Sequence, residues 1–191
     1  MRVGLFGGSF NPAHSGHAHV AETAKRRLNL DRVIWLVSPQ NPLKPSHETA
    51  SLAERMAGAR KLAQAPGMIV SDAETKLGSA YTVDTVRALK ARFPGVHFVW
   101  IMGADSLASF HRWKGWTGIM REAPVAVVSR PWISIRSRFS PAARRFARFR
   151  RPSGQAGTLP RLKPPAWVFL LGPLNFQSST LLRERLRRPT S

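Results

Sequence analysis

The 191-residue sequence contains no cysteine. That absence excludes disulfides and thiolate-bound metals, and it fits a reducing compartment. The chain also lacks any run of 18 apolar residues, so no transmembrane helix is expected. Arg2 leads straight into the first apolar run with no apolar leader ahead of it, which adds to the expectation of a cytoplasmic protein without a membrane partner. Acids are scarce and unevenly placed. Ten Asp and Glu face 30 Lys and Arg, a formal net charge of +20. Residues 1–122 hold nine acids against 16 cations, whereas residues 123–191 hold only Glu184 against 14. Such a field attracts polyanions of every kind and specifies none of them, so no specific nucleic acid is expected. With 43% apolar residues the chain can bury a sizeable core, and residues 1–191 are expected to form a single domain.

What is present is concentrated at the front. Val3-Gly4-Leu5-Phe6 has the apolar character of a buried strand. Gly7-Gly8 permits a tight turn and the close approach of a ligand to the backbone. Asn11-Pro12 signals a loop, and the periodicity after Gly16 predicts a helix. The first N–H groups of a helix lack intrahelical partners, and the dipole adds partial positive charge there, so a glycine loop feeding a helix start suits a phosphate. His14 and His17 stand three apart with small Ser15 and Gly16 between them, placing both side chains within reach of one anion. Alone, the glycines read as a turn and each histidine as a solvated side chain or a core hydrogen-bonder. Together, at the end of a first strand, they predict a phosphate site.

The rest of the chain alternates apolar runs at Val33–Val37, Met68–Val70, Val96–Met102, Val125–Val128 and Ala166–Leu171 with helical periodicity over His17–Leu28, Ser51–Ala65 and from Ser79 onward. Alternation of this kind predicts an α/β fold, a Rossmann-like doubly wound parallel sheet of about five to six strands with flanking helices. In such sheets ligands bind at the carboxyl edge. Ser38–Pro45 is a proline-rich loop at that edge carrying Lys44. Gly103-Ala104-Asp105 follows the fourth strand, and Asp105 either caps the next helix or accepts from ribose or adenine. Phe110–Trp116 is aromatic and basic, suited to stacking on a heterocycle or to packing on the core. Residues 132–165 form a basic, Pro/Gly-rich insertion. Within it Pro141–Arg150 predicts a helix with Phe139, Ala143, Phe146 and Phe149 inward, and Pro152–Pro165 a loop. Ser178, Ser179 and Thr180 lie at a last helix start, with Arg183 one turn on and able to face the same anion.

Gly7-Gly8-Ser9-Phe10-Asn11-Pro12-x-His14-x-Gly16-His17 resembles the HxGH signature of the nucleotidylyltransferase superfamily, with Ser9 and Asn11 where Thr and Asp are usual. Ser178-Ser179-Thr180-x-x-Arg183 is similar to its second motif. Ala80-Tyr81-Thr82-x-Asp84-Thr85, Ile101–Leu107, Trp113 and Ser129-Arg130-Pro131 occur in the order seen in bacterial nicotinate-mononucleotide adenylyltransferases. The basic insertion has no motif counterpart in that pattern, and the chain ends soon after Leu186, where family members commonly continue through another helix.

The resemblance implies a reaction: ATP plus nicotinate mononucleotide gives deamido-NAD and pyrophosphate, a step of NAD biosynthesis. The mononucleotide phosphate attacks the α-phosphorus in line, so positioning and charge stabilisation carry the catalysis. It assigns His14 and His17 to the triphosphate. Gly7, Gly8, Ser9, Phe10, Lys44, Ser178, Ser179, Thr180 and Arg183 go to the phosphates, and Gly103 and Asp105 to the adenosine. Tyr81, Thr82, Trp113 and Arg130 go to the nicotinate nucleotide. Mg²⁺ is expected on ATP oxygens and water, with no protein side-chain ligands, and an oligomer is compatible with the pattern. Two alternatives stand beside this reading: phosphopantetheine or another acceptor on the same scaffold, and a basic nucleic-acid-binding protein using residues 123–191.

Overall fold

A computed structural model describes residues 1–39, 50–79, 81–129 and 137–171. The expected Lys44, Arg130, Ser178, Ser179, Thr180 and Arg183 lie outside the described residues. The core is one parallel sheet of seven strands: β1 (Arg2–Gly8), β2 (Arg32–Val37), β3 (Met68–Ser71), β4 (His97–Gly103), β5 (Val125–Val128), β6 (Arg150–Arg151) and β7 (Trp167–Leu170), in the order β3-β2-β1-β4-β5-β7-β6. Every neighbouring pair is parallel. The seventh strand is the two-residue β6 at the edge. It has no apolar run to announce it, and its two arginines are exposed.

Alternate residues of the strands feed two apolar layers. Val3, Leu5, Trp100, Met102, Val125, Val127, Trp167 and Phe169 face α4 (Thr82–Arg92), α5 (Ala104–Ser109), α6 (Trp116–Glu122) and α7 (Pro141–Arg145). Phe6, Val33, Trp35, Val99, Ile101, Ala126, Val128, Val168 and Leu170 face α1 (Ser15–Arg27) and α2 (Leu52–Leu62). Cover on both faces explains the unbroken apolar runs of β2, β4 and β5. A one-turn helix, α3 (Ala73–Lys76), leads from β3 toward α4.

Three expectations are corrected here. The helix starting near Ser79 begins at Thr82, because Tyr81 keeps extended φ/ψ as its N-cap. Phe139 is 65% exposed rather than inward, since α7 starts only at Pro141 behind a Ser140 cap; Ala143 and Phe146 are buried as expected. The stretch read as a loop after Pro152 holds a 3₁₀ helix, Ser153–Arg161, that buries Ala156, Leu159 and Pro160. It approaches α1 so closely that a side chain on Gly157 would meet Asn29 Nδ2 at 2.9 Å. Thus this glycine- and proline-rich segment completes the α1 layer, its small residues allowing a close fit that polar periodicity does not reveal.

Candidate active site

Phe6 of β1 pairs with Ile101 of β4, two residues before each strand ends in glycine, Gly8 and Gly103. From β1 the chain runs outward through β2 to β3 and then returns to β4 on the other side, so the β1/β4 edge is the switch point where open α/β sheets bind ligands.

Local geometry there differs from the simplest expectation for the two glycines. The Trp100 ring occupies the space a Gly7 side chain would fill, and the Phe10 ring lies 3.2 Å from where a Gly8 Cβ would stand. Both glycines therefore admit aromatic rings from within the protein. Phe10 has φ of 46°, a left-handed conformation that costs a bulky residue about 1–3 kcal/mol. Its ring offsets that cost by packing: it stacks on Trp35 at 5.1 Å and meets Phe6 and His17 edge-on at 5.4 and 5.0 Å. With its side chain buried, Phe10 offers only its backbone to the outer face of the loop, beside exposed Ser9.

α1 begins two residues earlier than its periodicity suggests, because His14 is its N-cap. The Gly16 N–H donates to His14 Nδ1 at 3.1 Å, and the His14 N–H donates to His17 Nδ1 at 3.2 Å. This is a reciprocal capping box in which imidazoles replace the usual hydroxyl and carboxylate. Accepting at Nδ1 has a chemical consequence: the proton of each neutral ring sits on Nε2. The ring centroids are 3.8 Å apart. His14 is 3% exposed and His17 half-buried, so His17 is the more accessible ring.

Arg55, on α2, is a residue that sequence reasoning missed. It is 3% exposed, and desolvation lowers its pKa. Its Nη1 donates to the carbonyls of Ser9 at 2.9 Å and Ser38 at 2.7 Å, and its Nε to Ala50 at 3.0 Å. One guanidinium thereby ties the loop after β1, the end of β2 and the start of α2. The available signal was its place on the apolar stripe of α2, between Leu52 and Ala59.

On the other side, Trp113 packs edge-on to Trp100 at 6.4 Å and to Phe110 at 5.4 Å. Trp100, fully buried in β4, forms a continuous floor from Gly7 to Trp113. Tyr81 is 41% exposed at the start of α4, with Thr82 as the first helical residue. Asp105 lies in the first turn of α5, whose N-cap is Gly103. The described site residues thus gather in two groups, Gly7 to His17 and Tyr81 to Trp113, joined through Trp100. Among the described residues no group of three or more His, Asp or Glu side chains gathers to hold a metal. No helix among them is long and apolar enough to cross a membrane.

The cytidylyltransferase-like family matches residues 5–185. The chain belongs to that family. Its relatives refine the branch: a Caulobacter protein named "Probable nicotinate-nucleotide adenylyltransferase" is 73% identical over 97% of this chain and 98% of its own length. A protein of the same name from Cereibacter sphaeroides is 54% identical over 96% of this chain and 97% of its own. The Caulobacter match spans 185 of the 191 residues, so it takes in the basic 132–165 stretch. Among solved folds, the Plasmodium falciparum nicotinic acid mononucleotide adenylyltransferase complexed with NaAD superposes with a TM-score of 0.69 at 16% identity, covering 100% of this chain and 86% of that one. This cytidylyltransferase-like chain is a nucleotidyltransferase of the nicotinate-nucleotide adenylyltransferase branch.

Proposed function

We propose that the protein joins ATP and nicotinate mononucleotide into deamido-NAD and pyrophosphate in the cytoplasm, with the two residue groups serving the two substrates. A 5′-phosphate oxygen of the mononucleotide forms a bond to the α-phosphorus as the bond to the bridging oxygen of pyrophosphate breaks. No protein nucleophile takes part, so catalysis is alignment and charge stabilisation. The observation that carries this reading is the histidine capping box. It fixes Nε2 as the N–H of both neutral rings, and we assign those groups to the α-phosphate and bridging oxygens. The Gly8, Ser9 and Phe10 backbone cradles the same phosphates, and Lys44, Ser178, Ser179, Thr180 and Arg183 complete that side. Gly103 and Asp105 take the adenosine, while Tyr81, Thr82, Trp113 and Arg130 take the nicotinate nucleotide.

The donor set on the histidine side is imidazole and amide N–H, which suits phosphate oxygens rather than a hard cation. Mg²⁺, when bound, is held by ATP oxygens and water and neutralises part of the triphosphate charge. The test is pyrophosphate release from ATP with each acceptor. Turnover with nicotinate mononucleotide, abolished by His17→Ala, is expected. Turnover with phosphopantetheine alone would overturn the assignment.

A further inference from the structure

Arg55 is a buried cation whose partners among the described residues are the carbonyl oxygens of Ser9, Ser38 and Ala50, with no carboxylate against it. What it does to the loop after β1 follows from peptide geometry. In a trans peptide the C=O and the N–H point opposite ways. The Gly8 carbonyl accepts from the Ser38 N–H at 3.0 Å, so the peptide joining Gly8 to Ser9 turns its oxygen toward the end of β2 and its N–H away. The Ser9 carbonyl accepts from Arg55 Nη1, which also donates to the Ser38 oxygen, so the next peptide turns its oxygen to the same side. In a regular strand successive peptides alternate sides. Here the Ser9 and Phe10 N–H groups both face away from β2, the side on which β4 neighbours β1. Neither donates to any described residue. Adjacent N–H groups turned to one side at a left-handed residue, here Phe10 with φ of 46°, make a concavity for an anion.

We infer that Arg55 is a positioning residue that holds this peptide in its strained orientation, so that the Ser9 and Phe10 N–H groups meet one non-bridging oxygen of the ATP α-phosphate. A flip of the peptide between Ser9 and Phe10 changes only ψ of Ser9 and φ of Phe10. It would return Phe10 to the ordinary negative-φ region, and it would aim a carbonyl oxygen at the phosphate in place of an N–H. The guanidinium opposes that relaxation by holding the Ser9 oxygen at 2.9 Å. Its hydrogen bond also polarises the peptide, which makes the Phe10 N–H a stronger donor. Arg55 thus acts on the phosphate through the backbone, without touching it. The inference rests on the proposed reaction, and the experiment separates the two.

Wild-type enzyme, Arg55→Met and Arg55→Lys are assayed with nicotinate mononucleotide and ATP, then with each of the two α-thio diastereomers of ATP. Melting curves set an assay temperature at which each protein is folded. Sulfur is a weak acceptor, so the diastereomer that places it at the N–H groups should be the poorer substrate of the wild type by about tenfold or more, the worth of one hydrogen bond. In Arg55→Met kcat with ATP is expected to fall about 10²-fold, the effect of losing one such donor, with the KM for nicotinate mononucleotide near wild type and the diastereomer ratio moving toward one. Arg55→Lys keeps the charge but lacks the fork that spans the three carbonyls, and its kcat and ratio should fall between the other two. It carries the test if the methionine variant does not fold. A folded variant that loses turnover with the ratio unchanged would show that Arg55 serves stability alone. That result, unchanged turnover, or a wild type that treats the diastereomers alike overturns the inference and leaves the reaction standing. Wild-type enzyme inert toward nicotinate mononucleotide would overturn the reaction, and the inference with it.

Discussion

On the histidine side, position is set by hydrogen bonds: two imidazoles cap α1 reciprocally, and the Arg55 guanidinium holds three backbone carbonyls of the surrounding loops. On the Tyr81 side, position is set by shape: Gly115 and Gly118 admit Val83, and Trp113 leans on Trp100 and Phe110. The two means suit the two tasks proposed for them. Stabilising charge on a phosphate needs donors with fixed protonation and direction, which hydrogen bonds supply. Selecting a flat ring needs walls at the right separation, which packing supplies. The contrast predicts that changes on the histidine side act on turnover and changes on the Tyr81 side on recognition.

The largest effect is expected from the histidines. His17→Ala should lower kcat by about 10²–10⁴ with a smaller change in KM, measured as pyrophosphate release. His14→Ser tests whether capping and chemistry separate. Serine is a good N-cap, so the melting temperature should stay near wild type while turnover falls. Wild-type turnover in His14→Ser would show that this ring serves only the helix. Arg55→Met comes next. It strands the carbonyls of Ser9, Ser38 and Ala50 in a buried place, and should cost about 3 kcal/mol of stability by denaturant titration. A loss below 0.5 kcal/mol, within ordinary surface-substitution scatter of about that size, would show that the clamp is incidental.

How legible each side was follows from the same contrast. The HxGH spacing predicted a phosphate site at the first helix, and the folded chain sets both histidines at that helix's start; the apolar runs at Val33–Val37, Val96–Met102 and Val125–Val128 marked central strands of a parallel sheet, and they are such strands. Hidden from the sequence was which internal ring each glycine admits. The clearance at Gly7 depends on Trp100, more than ninety positions away, and on a strand register that local pattern does not encode. Arg55 was hidden for a related reason: an arginine in a helix is ordinarily solvated, and only the meeting of three carbonyls from separate segments makes burial tolerable. Phe139 was misread because a phenylalanine just outside a helix cap shares the spacing of its buried neighbours without sharing their direction.

Glu74 extends the comparison to pH. It lies in α3 just ahead of Tyr81, and burial pushes its carboxyl from the ordinary 4.5 up to about 7. The folded state thus holds a proton that the unfolded chain releases earlier. Its stability is full below about pH 4.5, erodes as pH rises, and above about 7 carries a constant penalty of at most about 3 kcal/mol. Glu74→Gln should therefore stabilise the protein at pH 8, leave it unchanged at pH 4, and flatten the profile between. Equal effects at both pH values would show that the carboxyl does not titrate across this range.

The smallest expected effect probes shape alone. Gly115 has φ of +69°, and a Cβ there would stand 2.8 Å from Val83 Cγ1, so Gly115→Ala combines left-handed strain with a contact that must give way. A cost of about 1–2 kcal/mol is expected. Relief of the clash must move either α4 or the turn carrying Trp113 and Lys114, so the KM for the mononucleotide should rise while kcat and the KM for ATP stay near wild type. Val83→Ala in the same chain removes the atom that clashes but not the backbone strain, and should restore KM more fully than stability. If it restores both equally, the clash was the whole cost. If it restores neither, the left-handed backbone alone holds the turn, and packing between α4 and α6 is not what sets the width of this pocket.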